Sequence, residues 1–349
     1  MRALTIKPGE PNSVRLDDID EPPATFGGLL IRTLALGVCA TDRDLIAGEV
    51  GEAPQFNDRL VIGHESYGEV IEAPTDSGFK TGDRIVGIVR QPDPEPCPSC
   101  TAGEWDMCSN GHFSEHGIKR LHGFGSERFR IAPEFAVKVD AGLGDLGVLL
   151  EPASIVAKAW DHIERIGHRF RSWHPQRVLI VGAGPIGVLA ALLGKQRGCE
   201  VHVFDRNIDG PKPPLIRDLG ARFHSGRLDG LRSLRPDIVV ECTGVAEVVA
   251  DAITAAGPNG SVCLLGICGS HTRPFNLGAF NDKLMMENNV VFGAVNANRT
   301  HFEMAHDALV QADRQWLARI ITRRVPLAHF GEALTKKPGD IKVVIDFAA

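Results

Sequence analysis

Residues 177–187 read RVLIVGAGPIG, in which a short continuous apolar run, Val178 to Val181, leads straight into three spaced glycines, Gly182, Gly184 and Gly187. Pro185 to Arg197 has the apolar spacing of a helix, and EVHVF at 200–204 is again strand-like, so the stretch reads as a βαβ unit. In that setting the first glycine permits a tight turn, the second lets backbone approach a pyrophosphate, and the third allows close packing of helix on strand. The helix N-terminus, with Pro185 and Ile186, then faces the phosphates. The competing reading is a strand-to-helix turn that merely needs glycine. Asp205 ends the second strand, where a carboxylate accepts hydrogen bonds from ribose hydroxyls and favours NAD. Arg206 follows at once and would admit NADP by pairing with a 2′-phosphate.

DIVVECTG (237–244), SVCLLG (261–266) and VVFGAV (290–295) continue as buried-strand candidates, with Val245 to Ala256 as an amphipathic helix between the first two. A doubly wound parallel sheet over 157–299 is the expected result. The first 150 residues differ: short β-type runs such as LLIRTLAL, GEVIEA and DRIVGIV alternate with Gly and Pro, so this part reads as mostly β. Between about 92 and 123 the pattern lapses into Pro, Cys, Gly, His and Ser, an excursion that an apolar core does not explain. The tail is read as a helix over His301 to Ala312, a second near Trp316 to Arg324, and a last strand, KVVIDF (342–347).

The length of 349 residues suits two domains. Lys and Arg total 38 against 44 Asp and Glu, a formal charge of −6 with no basic run, which argues against nucleic acid. No apolar stretch reaches the roughly 20 residues of a membrane span, and the N-terminus does not read as a signal peptide, so a cytoplasmic protein is expected.

Two residue groups suggest metal. Cys39, His64 and Glu65 are a thiolate, an imidazole and a carboxylate, the ligand types of a zinc that keeps one position open, and Glu151 is a second carboxylate that could complete the sphere. Without a metal, the His-Glu pair reads as a buried polar pair and Glu151 as a helix N-terminal carboxylate. Cys97, Cys100 and Cys108 supply three thiolates where a structural zinc wants four ligands. The fourth place is left to an oxygen or imidazole among Asp93, Glu95, His112 and His116. The remaining cysteines, 199, 242, 263 and 268, read as small apolar residues.

The ordered set GVCATD (37–42), GHESYGEV (63–70), GDRIVG (82–87), the cysteine lobe, EHGIKRLHGF (115–124), LEP (150–152), GAGPIG and GAVN (293–296) resembles the zinc-dependent medium-chain dehydrogenases. Within them it is most similar to the archaeal-type glucose (aldose) dehydrogenases. The resemblance implies an α/β plus β chain: a GroES-like β-rich catalytic domain from 1–156 and 300–349, its zinc lobe at about 92–123, with a Rossmann NAD(P)-binding domain at 157–299 inserted. It implies a catalytic zinc on Cys39 and His64, with Glu65 and Glu151 at the two carboxylate positions, and a structural zinc on Cys97, Cys100, Cys108 and, departing from the usual fourth cysteine, Asp93. Sugar hydroxyls would be held by Thr41, Glu115, Glu151 and Asn296, and Thr41 would relay a proton. Thr243 and Asn296 are also counted among the cofactor contacts.

The expected activity is hydride transfer from a hydroxyl of an aldose or polyol to NAD(P), with zinc as Lewis acid, in a homodimer or homotetramer. Another specialised secondary alcohol or amino alcohol is the alternative within the enzyme class. A zinc-ribbon nucleic-acid binder that senses NAD is the alternative outside it.

Overall fold

The computed structural model describes residues 1–26, 28–269 and 273–347. Two compact units emerge, one of residues 1–154, 296–314 and 321–349, the other of 155–295 and 315–320. The first division falls inside the helix Leu150–Gly167. The second falls at Asn296, earlier than the expected 300, and residues 315–320 return to the second unit.

In the first unit a seven-stranded sheet runs in the order Ala136–Lys138, Arg84–Gly87, Glu65–Glu72, Leu29–Val38, Lys342–Asp346, Ile321–Pro326, with Arg128–Ile131 also paired to Leu29–Val38. Leu29–Val38 is the hub because three other strands pair with it, and its Leu29, Ile31 and Leu36 are buried in one core with Ile85, Phe124, Phe129, Val343 and Ile345. A central strand buried over most of its length needs a largely apolar run, which LLIRTLALGV supplies apart from the exposed Arg32. The tail departs from expectation here. A short helix spans Arg314–Ala318, but Ile321–Pro326 is a strand, parallel to Lys342–Asp346. Helical spacing and a β-branched run compete in this segment, and the available partner strand decides it.

The segment at 92–123 is framed by a small sheet of Arg90–Gln91, Ser114–His116 and Arg120–Leu121. These strands of two or three residues are too short to show alternation in the sequence.

The second unit carries a six-stranded, all-parallel sheet in the order Arg222–His224, Glu200–Phe204, Arg177–Val181, Ile238–Glu241, Ser261–Leu264, Val290–Gly293. In chain order this is the 3-2-1-4-5-6 arrangement of a dinucleotide-binding sheet. Its central strands are buried except at their ends, with Leu179, Val181, Val239 and Val262 in a common core. The expected helix after the fourth strand is shorter, Ala246–Ala252, and a helix at Leu277–Met286 has no residue buried. Among the described residues no helix is long and apolar enough to cross a membrane.

Candidate active site

Cys39 leaves the hub strand and becomes the N-cap residue of the helix Ala40–Ile46. Its backbone N–H donates to the Asp42 carboxylate at 2.8 Å, a capping box that fixes where the thiol stands. Thr41 Oγ1 lies 3.9 Å from the Cys39 sulfur. His64 precedes the strand Glu65–Glu72, and the antiparallel register sets Glu65 opposite Gly37. Gly37 is required there: a Cβ would stand 2.0 Å from Glu65 Oε2. Sheet pairing thus carries Cys39, His64 and Glu65 together, and their donor atoms all lie within 4.8 Å of one another.

His64 is buried, and its Nδ1 has no hydrogen-bond partner, the nearest acid being Asp42 Oδ1 at 3.6 Å. Burial opposes the charged imidazole, but Asp42, the Cys39 sulfur and Glu151 together hold its pKa well above the ordinary value. Glu151, buried in the first turn of Leu150–Gly167, is pushed up to about 7 by burial and by repulsion from Glu65, against His64 and Lys342. A cluster of this composition, with an orphaned imidazole nitrogen and a carboxylate that resists ionisation for want of positive charge, fits a divalent zinc. Glu151 lies within electrostatic reach of the set without belonging to its compact core of three.

One partner had no signal in the sequence. Lys342, from the last strand, is fully buried and bonds both Glu65 oxygens, with Nζ 3.2 Å from Val38 O. A lysine opening the run KVVIDF looks like an ordinary strand-end residue; only the requirement that buried Glu65 find a counter-charge would have prompted a search.

On the lobe side, Glu115 is buried and accepts from Asn296 Nδ2 at 2.7 Å. Asn296 itself is held in a left-handed backbone conformation (φ 61°), which asparagine tolerates. The sulfurs of Cys97, Cys100 and Cys108 lie within 4.8 Å of one another. Hydrogen bonds from Ser109 draw the Cys97 thiol down, and burial raises that of Cys100. Asp93 is not part of this set. Its carboxylate accepts from Asn110 Nδ2 and, at 2.9 Å, from Glu95 N, and lies 3.6 Å from His112 Nδ1. The loop that aims Asp93 at Asn110 leaves three thiols, a set that would fill three of the four positions a structural zinc needs. His116 is also committed elsewhere, to Gln91 and the His122 carbonyl.

In the second unit, Gly182 turns the chain at φ 102°. A Cβ on Gly187 would stand 1.8 Å from Gly182 O, so the third glycine is dictated by packing. Gly184 is the N-cap and Pro185 the first residue of the 12-residue helix Pro185–Gln196, with Ile186 after it. Thr243 packs against this turn, its Cγ2 2.8 Å from where a Gly182 Cβ would be, and its hydroxyl donates to Glu241. Asp205 accepts from Ala183 N and Asn207 N, both at 2.8 Å, and from Lys212 Nζ at 3.0 Å. Burial would raise its pKa, yet these donors hold it below the ordinary carboxylate value. Arg206 is exposed beside it. Glu241 and Lys212 were not singled out from the sequence, and neither lies in a motif with a fixed offset.

A family model for an alcohol dehydrogenase GroES-like domain matches residues 26–141, and one for the glucose dehydrogenase C-terminus matches 144–347. The chain belongs to the glucose dehydrogenase family. It is 38% identical to the glucose 1-dehydrogenase of Methanocella arvoryzae over the whole of both chains, and 37% identical to glucose 1-dehydrogenase 2 of Vulcanisaeta moutnovskia over 99% of each. In fold, this glucose dehydrogenase family member is similar to the Haloferax mediterranei glucose dehydrogenase solved with NADP, Zn and gluconolactone, with a TM-score of 0.92, 29% identity and full coverage of both chains. The galactitol-1-phosphate dehydrogenase of Escherichia coli, at 21% identity and a TM-score of 0.82, shares the fold.

Proposed function

We propose that this chain oxidises the C1 hydroxyl of an aldose such as glucose to the lactone, with Cys39 and His64 holding the zinc and Glu65 and Glu151 as its two carboxylate positions, Glu65 being paired with Lys342. The protein is a zinc-dependent, NAD(P)-linked sugar dehydrogenase. The observation that carries the assignment of residues is the donor set of Cys39, His64 and Glu65, within 4.8 Å and with His64 Nδ1 unpartnered. When bound, zinc supplies a Lewis acid that lowers the pKa of a substrate hydroxyl.

The chain's own groups do the rest. Thr41, beside Cys39, is the hydroxyl that accepts the substrate proton and passes it on. Glu115, Asn296 and Glu151 take up sugar hydroxyls, so a substrate lacking them leaves buried polar groups unpaired and is rejected. The glycine turn, Thr243 and the helix N-terminus at Gly184 receive the dinucleotide. Asp205 favours a free ribose, but Lys212 offsets its charge and Arg206 stands exposed next to it, an arrangement that admits both NAD and NADP.

The three thiols of the lobe hold a second, structural zinc, with water or a rearranged Asp93 as fourth ligand. The protein works in the cytoplasm, in keeping with eight free cysteines. It is a homodimer or homotetramer: among the described residues the edge strand Val290–Gly293 pairs on one side only, and Leu277, Met285 and Met286 are exposed on the helix just before it.

The test is NAD and NADP reduction by the zinc-loaded protein over aldoses, polyols, amino alcohols and simple alcohols. Turnover of an aldose, lost by roughly a thousandfold or more in His64→Ala together with the zinc but with dinucleotide affinity retained, is the expected result. Turnover confined to simple alcohols would overturn the sugar assignment.

A further inference from the structure

Arg90 is a buried arginine for which the chemistry above has no role. It lies on the two-residue strand Arg90–Gln91, and the antiparallel register places it opposite Glu115. Arginine and carboxylate in such a position commonly form a fork-to-fork pair that occupies both carboxylate oxygens. Here the pair is offset. Arg90 Nε and Nη2 both donate to Glu115 Oε1, at 3.0 and 2.9 Å, and Asn296 Nδ2 donates to the same oxygen at 2.7 Å. None of the three reaches Oε2.

The offset has a visible cause. Arg90 Nη1 donates to the Asp106 carbonyl at 3.1 Å, and the guanidinium lies 3.7 Å from the centroid of the Phe113 ring. The third nitrogen and one face of the plane are therefore engaged, which stops the fork from sliding along the carboxylate. Asp106 is tied in turn to the segment that carries Asn296, since Asn298 Nδ2 donates to Asp106 Oδ1 at 2.9 Å. Arg90, Asp106, Asn296 and Asn298 thus form one frame around one oxygen of Glu115.

We propose that Arg90 is a positioning residue that saturates Glu115 Oε1 and so commits Oε2 alone to a substrate hydroxyl, making Arg90 a determinant of selectivity for polyhydroxylated over simple alcohols. This rests on the sugar-binding role proposed for Glu115. An oxygen with no donor among the described residues, on a carboxylate whose other oxygen is held by three, is an acceptor for one O–H from one direction. A hydroxyl there gains a charge-assisted bond, and a substrate without it leaves that oxygen desolvated and unpaired. With Arg90 removed, Glu115 is free to turn and to offer either oxygen, and selectivity falls with the loss of register.

The experiment compares the full-length, zinc-loaded parent with Arg90→Met, Arg90→Lys, Glu115→Gln and the double variant Arg90→Met/Glu115→Gln. Kinetics are measured on D-glucose and on cyclohexanol, with zinc content, NAD affinity and thermal melting recorded alongside. Arg90→Met is expected to raise KM for glucose by roughly 100-fold with a far smaller change in kcat, the upper range for loss of a hydrogen bond to a charged group in binding. Arg90→Lys keeps a cation but cannot make two convergent N–H bonds, and is expected to lose roughly 10-fold. The ratio of kcat/KM for glucose over cyclohexanol should fall in both, with zinc content and NAD affinity as in the parent. The double variant should be little worse than Glu115→Gln, because both changes act through one carboxylate.

Equal losses on glucose and cyclohexanol, or losses that multiply in the double variant, would overturn the role of Arg90. An unchanged glucose KM in Glu115→Gln would instead overturn the sugar-binding role of Glu115. Should Arg90→Met fail to fold, the selectivity ratio of Arg90→Lys decides alone, and an unchanged ratio there overturns the proposal.

Discussion

The glycine turn at 182–187 and the donor set around His64 each prepare a site for a charged group, but they are built in different ways. The turn is made mainly within one short segment: the close approach of Gly187 to Gly182 and the helix start are set by neighbours in sequence, while Asp205 and Thr243 brace it from outside. The donor set of Cys39, His64 and Glu65 and its counter-charge Lys342 are brought together by sheet pairing across most of the chain. A locally built site fails by losing its shape. A site gathered at long range fails by leaving a buried charge without its partner, and that is the costlier failure.

The largest expected effect therefore belongs to the gathered site. Lys342→Met leaves the Glu65 carboxylate buried beside Val38 with no counter-charge, and should cost about 3–5 kcal/mol of stability. Denaturant midpoints would measure it, and adding Glu65→Gln should recover much of the loss. A Lys342→Met protein as stable as the parent would end the contrast between the two regions.

A comparable but pH-dependent effect is expected at His116, where burial lowers the imidazole pKa from 6.5 to about 4. Between those values the unfolded chain binds the proton and the folded chain does not, so stability rises with pH across the interval. The contribution is complete above 6.5 and is lost as pH falls toward 4, to a limit of about 3 kcal/mol. Unfolding followed from pH 7 to pH 4 should show this slope, and His116→Gln should flatten it.

The smallest effect is expected in the locally built turn. Gly187→Ala forces a methyl against Gly182 O and should cost about 1–3 kcal/mol through local rearrangement. Dinucleotide affinity should fall with it while zinc content stays as in the parent, since Cys39, His64, Glu65, Glu151 and the three lobe cysteines all lie in the other unit. Loss of zinc in Gly187→Ala would mean the two sites are not built independently.

What the sequence determined alone was whatever depends on neighbours in the chain. The apolar run before Gly182 and the helix after Pro185 are local patterns, legible because strand and helix impose fixed periods and because a turn this tight admits only glycine. The ligand types at Cys39, His64 and Glu65 were legible as chemistry, and their motifs pointed to the family that the matches to residues 26–141 and 144–347 established. Only the tertiary structure decided that Lys342 neutralises Glu65, that Arg90 and Asn296 share one oxygen of Glu115, that Asp93 turns to Asn110, and that residues 321–326 form a strand. Each depends on a partner that folding supplies from elsewhere: a strand edge, a counter-charge, or a donor on a crossing loop. The sequence carries the chemistry of a buried charge, but sheet register chooses the residue that answers it.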